Sequence, residues 1–160
     1  MTRWLRLVAV ALLFSLAYGS SAMSQEPPPV GVPTDDPEMA EAIYIARESL
    51  PSFWARLQNP ASDEEGFALK VAFPNVENSF EHIWLIEIER SGSRISGVVN
   101  NTPATVPTLR DGSRLEIDPT RITDWLYLKS RKMVGNYTLR ALLKRLPPED
   151  AAYARQLLAP

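Results

Sequence analysis

Ten residues, Phe80-Glu81-His82-Ile83-Trp84-Leu85-Ile86-Glu87-Ile88-Glu89, limit what this chain can become. They are rich in aromatic and β-branched side chains, and Ser91-Gly92-Ser93 follows as a turn signal, so they read as a strand. Alternate side chains of a strand face opposite ways. One face then carries Phe80, His82, Trp84, Ile86 and Ile88, and the other carries Glu81, Ile83, Leu85, Glu87 and Glu89. This period of two sends the His82 imidazole inward beside the Trp84 indole and leaves Glu81 outside.

The neighbouring segments have to pack on that strand. Residues 67–73 alternate Phe67, Leu69, Val71 and Phe73 against Ala68, Lys70 and Ala72. Residues 94–100 form the second arm of a hairpin, with Gly97 marking a bulge or a close backbone approach. Residues 114–118 make a short strand, and residues 122–128 an edge strand or a docked extended segment. Upstream, Asp36-Pro37-Glu38 opens a helix, because it supplies a capping side chain, a proline at the first position and an acid in the first turn. Met39, Ile43, Ala46, Leu50, Trp54 and Leu57 form one apolar stripe, which Pro51 should bend or split. Downstream, Gly135-Asn136 makes a turn, and Thr138 caps a helix bearing Leu139, Leu142, Leu143 and Leu146. Pro147-Pro148 breaks it ahead of a last helix through Leu158. The expected class is α+β: an N-terminal helix packed on a curved antiparallel sheet of four to five strands, followed by C-terminal helices.

The first residues stand apart. Arg3 and Arg6 precede an apolar run from Leu7 to Tyr18, and small residues follow. This is the pattern of a secretory signal peptide over residues 1–24, with cleavage after Ala22 or after Ser24. Residues 25–34 are a proline-rich linker, and residues 35–160 form a single domain. The apolar run is shorter than the roughly 20 residues of a spanning helix, so the mature protein carries no membrane span. The expected location is periplasmic or secreted. The chain has no cysteine. That rules out a disulfide framework, thiol catalysis, cysteine-held zinc and a lipoprotein anchor. The net charge of −2 offers no basic excess for nucleic acid. Charge is polarised, however: residues 26–65 hold nine acids, and residues 121–155 hold eight bases. The simplest account is attraction between the two ends across the fold.

Several signposts occur in order: Ala42-Ile43, Ala46-Arg47, Phe53-Trp54, Phe67-x-x-Lys70, Glu81-His82-Ile83-Trp84, Gly97-x-x-x-Asn101-x-Pro103, Gly112, Ile122-x-Asp124-Trp125-x-Tyr127 and Gly135-x-Tyr137-Thr138-x-Arg140. With them the chain resembles the bacterial family catalogued as domain of unknown function 2314, the YegJ-like proteins, from about Pro37 to Leu146. The resemblance implies kinship and no activity.

His82 and Asp124 are the candidate catalytic residues. Histidine has an intrinsic pKa suited to a general base, although a lone histidine on an apolar face is more often a hydrogen-bonded core residue. Asp124 should face away from Trp125 and Tyr127, and pair with Arg140 or cap the helix at Thr138. The candidate binding residues are Glu81, Trp84, Asn101, Trp125, Tyr127, Thr138 and Arg140. Asn100 and Asn101 can present amides to a polar ligand, and Trp84, Trp125, Tyr127 and Tyr137 can form an aromatic wall. No metal-ligand spacing, glycine-rich phosphate loop or nucleophile elbow is present, and no cofactor is expected. Two readings follow. One is an exported binding module for an envelope protein or polymer, acting through the sheet edge and the Asp124–Arg140 region. The other is an envelope hydrolase or transferase using His82 with Asp124.

Overall fold

The computed structural model describes residues 4–7, 30–33 and 36–160. Most of the expected leader and linker lies outside the described residues. Two short strands, β1 (Trp4–Leu7) and β2 (Val30–Pro33), pair with each other in a separate antiparallel sheet.

The apolar stripe folds as two helices, α1 (Pro37–Glu48) and α2 (Leu50–Gln58). Asp36 caps α1 by accepting from the Met39 amide at 2.8 Å. The break falls at Ser49, as expected from Pro51, which has no amide proton to continue the ladder. The main sheet is antiparallel, in the order β6-β5-β4-β3-β7-β8. Its strands are β3 (Glu64–Pro74), β4 (Phe80–Ser91), β5 (Arg94–Val99), β6 (Arg114–Glu116), β7 (Ile122–Lys129) and β8 (Lys132–Gly135). Helices α3 (Tyr137–Leu142) and α4 (Pro148–Leu157) complete the chain. The α+β class holds. The sheet, however, has six strands, because residues 132–135 add β8. Residues 122–129 are therefore an inner strand between β3 and β8, and not an edge.

Helices cover both faces of the sheet. Phe53 from α2, with Leu50 and Trp54 beside it, packs on Leu69, Val71, Leu85, Trp125 and Tyr127. Leu139 and Leu143 of the α3 region and Leu157 of α4 pack on Ala68, Trp84 and Leu126. Each large side chain taken fully out of water contributes roughly 1.5–3 kcal/mol. Phe53, Leu69, Ile83, Trp84, Leu85 and Leu126 are all in that position.

Two bulges that shape the site break the period of two, besides a third shift between Glu65 and Ala68 of β3. Between β4 and β5, Ile86 pairs with Val98 and Glu89 with Ser96, so Glu87 and Ile88 together oppose Gly97. Glu87 has φ +48°, and Ile88 joins the α2-side core with Leu85. The alternation assigned Ile88 to the His82 face; the extra residue moves it across. Gly97 marks the spot because a Cβ there would stand 2.8 Å from Ile88 Cδ1. Between β3 and β7, Lys70 pairs with Asp124 but Val71 with Ile122, so Thr123 is the extra residue.

The polarised charge closes across the fold. Glu38 meets Lys144 at 2.9 Å, and Arg145 meets Asp36 at 2.6 Å.

Candidate functional site

The second bulge builds the most polar part of the interior. Lys70, His82, Thr123, Asp124 and Thr138 are all buried, on the sheet face that α3 covers. Asp124 points away from Trp125, as its alternation requires. Its Oδ1 accepts from the Trp125 amide at 2.8 Å and the Tyr137 amide at 3.1 Å. Its Oδ2 accepts from the Thr138 amide at 2.8 Å and the Thr138 hydroxyl at 2.5 Å. The residue before α3, Asn136, has φ +52° and makes no side-chain cap. A carboxylate from a distant strand therefore satisfies the orphan amides at this helix start and meets its positive dipole end. Thr138 lies within the first turn and is capped; the expectation that it supplies the cap is corrected.

Lys70 completes a chain of donors. Its Nζ donates to Thr138 Oγ1 at 2.5 Å and sits 4.7 Å from the centre of the Trp84 ring. Burial pushes the Lys70 pKa down to about 8, against the pull of Asp124. Burial pushes Asp124 up, opposed by Lys70 and by the Thr138 and Trp125 donors. His82 Nδ1 lies 2.9 Å from Thr123 Oγ1, whose own proton goes to the Lys70 carbonyl at 3.3 Å. This assigns the proton to His82 Nδ1 in a neutral ring. Burial, then Lys70 and Arg47, push the His82 pKa down to about 3, so the ring stays uncharged at ordinary pH. No hydrogen bond links His82 to Asp124 among the described residues. The arrangement orders a helix on a sheet.

A family model described as "Uncharacterized protein conserved in bacteria", domain of unknown function 2314, matches residues 36–157. The chain belongs to this family. Within it, the chain is 30% identical to Uncharacterized protein YegJ of Escherichia coli strain K12, over 95% of this chain and 96% of that protein. It is also 27% identical to a putative ankyrin repeat protein of Neisseria meningitidis serogroup B, over 44% of this chain and 28% of that protein. No solved structure matches.

The other predicted residues of this family member separate. Trp84 lies on the α3 side, whereas Trp125, Tyr127 and Tyr137 lie on the α2 side. The four do not form one wall. Trp125 and Tyr127 stack at 6.0 Å, and Tyr137 meets Trp125 edge-on at 5.6 Å. Trp125 also donates from Nε1 to the Ala46 carbonyl at 2.9 Å, which pins the sheet to the end of α1. Arg140 does not reach Asp124; it donates to the Gly135 and Ala159 carbonyls, both at 2.9 Å. Glu81 is buried at 2% exposure, against the expectation that it lies outside. Its oxygens accept from the Ala104 and Thr105 amides at 2.8 and 2.7 Å, so it ties down the loop after β5. A carboxylate amid an apolar strand can be sealed wherever a loop brings amides to it. The half-buried Asn101 lies in that loop, where its Oδ1 has no hydrogen-bond partner among the described residues.

Sequence reasoning passed over Lys70. The available signal was a lysine on a strand of otherwise apolar residues, on the same face as Ala68 and Ala72. It also passed over Thr123, which only the bulge turns toward His82. Among the described residues no group of three histidine, aspartate or glutamate side chains is placed to hold a metal ion. No described helix is long and apolar enough to cross a membrane.

Proposed function

We propose that this protein is an exported binding domain of the bacterial envelope. The observation that carries the reading is Asp124. It is fully buried, and both of its oxygens are committed to the start of α3 and to its own strand. A general acid or base must reach a substrate proton directly or through one water. His82 is likewise enclosed and bonded to Thr123. The alternative, an envelope hydrolase or transferase using His82 with Asp124, needs both groups in one cleft, and the geometry favours the binding reading over it. Export is supported by Arg3 and Arg6 ahead of the apolar run and by the small residues that follow it.

Two features speak against the sheet edges and Arg140 as the contact surface. The outer edge of β8 is occupied by the chain's own end, through a bridge from Met133 to Leu158 and a bond from the Ala159 amide to the Met133 carbonyl. Arg140 is held by that same end. At the other edge, β6 is three residues long and carries Arg114 and Glu116, which discourages strand addition. Binding through surfaces on the α2 side is then favoured over the edges. The test is mass spectrometry of the periplasmic fraction together with low-salt crosslinking. The expected result is a mature chain beginning at Met23 or Gln25, crosslinked to an envelope component. A chain that keeps residues 1–22 in the cytoplasm, or no crosslinked partner, counts against the reading.

A further inference from the structure

One groove on the α2 side presents a cation with no carboxylate or hydrogen-bond partner among the described residues. It encloses about 390 Å³ and is lined by Trp54, Leu57, Gln58, Ile88, Arg90 and Gly92. That lies in the roughly 300–1,000 Å³ range of small-molecule sites. Leu57 and Ile88 supply the apolar part of a lining that is mixed, with polar surface the larger share. The Arg90 guanidinium stands over the Trp54 ring, 4.8 Å from its centre, a cation–π contact that restrains the side chain.

The β4 bulge creates this placement. An unbroken strand would send Arg90 to the His82 face and Glu89 toward α2. The extra residue at Glu87, held at φ +48°, reverses both. Such left-handed conformations are costly for residues other than glycine and cluster at functional sites. Glu87 and Glu89 then meet Arg114 at 2.9 and 3.3 Å. Glu64 is taken by Arg56 and Lys129. Among the described residues, Arg90 has no carboxylate partner and no hydrogen-bond acceptor. Its five N–H groups form a fork that matches a carboxylate, and Leu57, Ile88 and Gln58 line the same groove.

The geometry points to a binding site for an apolar carboxylate, with the apolar part on Leu57, Ile88 and Trp54 and the carboxylate on Arg90. The carboxylate comes either from the C-terminal residue of a peptide or from a free organic acid. The inference rests on the reading of the protein as a binding domain and names its ligand class.

The test titrates the full chain with N-acetyl-leucine and with octanoate, following the Trp54 indole N–H by NMR. N-acetyl-leucinamide and octanol are the uncharged counterparts. At least one acid should shift that resonance saturably, and its counterpart should bind at least tenfold more weakly. Saturation by N-acetyl-leucine alone identifies a peptide end, and by octanoate alone a free acid. Arg90→Gln should weaken binding at least tenfold. Gln58→Glu, an exposed and isosteric change, supplies a competing carboxylate and should do the same without touching the core. The inference is overturned if neither acid gives a saturable shift, if the uncharged counterparts bind equally, or if Gln58→Glu binds like the parent chain. Crosslinking and the mature N-terminus are read separately, so loss of this site leaves the binding-domain reading to its own test.

Discussion

Two cations lie over two tryptophans in this molecule, at nearly the same distance and in opposite circumstances. Lys70 stands 4.7 Å from Trp84, and Arg90 stands 4.8 Å from Trp54. The lysine is 3% exposed, donates to Thr138 and shares its surroundings with a buried carboxylate. The arginine is exposed and unpaired among the described residues. The same contact is structural in one place and available in the other. Burial and the supply of acceptors decide which, because a sealed charge has to be matched from within the protein and an open one is matched by water until a ligand arrives.

The hardest blow to this contrast is Asp124→Ala. It removes the acceptor for four donors and leaves Lys70 buried beside nothing of opposite charge, so it should destabilise the fold by about 3–5 kcal/mol. Urea denaturation measures it, and Lys70→Met in the same chain should recover part of the loss. A cost below about 1 kcal/mol would mean that the interior is wetter than described.

Next is the matched exchange of each cation for an amide. Lys70→Gln should cost about 1–3 kcal/mol, because it disturbs a sealed hydrogen-bond chain. Arg90→Gln should stay within about 0.5 kcal/mol, as open surface positions do. Equal losses in the two denaturation curves would erase the difference between the regions.

The sealed region should also titrate abnormally. Lys70 has a folded pKa of about 8 against an ordinary 10.5. Between those values the unfolded chain keeps a proton that the folded chain has released, so stability should rise with pH across that window. Lys70→Met should flatten the rise. His82 runs from about 3 folded to an ordinary 6.5. In that window the unfolded chain again binds the extra proton, so stability should fall as the pH drops, and His82→Gln should remove that part of the fall.

The smallest effect is spectroscopic. The chain has one histidine, so its ring protons can be assigned by elimination. Their NMR shifts should not move between pH 5 and pH 8, where an exposed imidazole would titrate. A midpoint near 6.5 would place His82 in water and reopen its candidacy as a base.

Local signals went far with this chain. Asp36-Pro37 opened α1, Pro51 split the stripe at Ser49, and Gly135-Asn136 turned with φ of +81° and +52°. The cap of α3 was legible only as one of two partners for Asp124, since its amides and its carboxylate are far apart in sequence.

The sequence by itself determined the α+β class, the family, the inward side of His82 and the pairing of the acidic and basic ends. The family follows from the ordered signposts along the chain, and the others from periodicity, turn chemistry or charge distribution, which act over a few residues or over the whole chain. Tertiary structure alone decided the rest: the face of Ile88 and Arg90, the sealing of Glu81, and the meeting of Lys70 with Thr138. A single extra residue reverses a strand's faces, and a carboxylate's environment is set by amides delivered from elsewhere. Neither is written in the residues beside it.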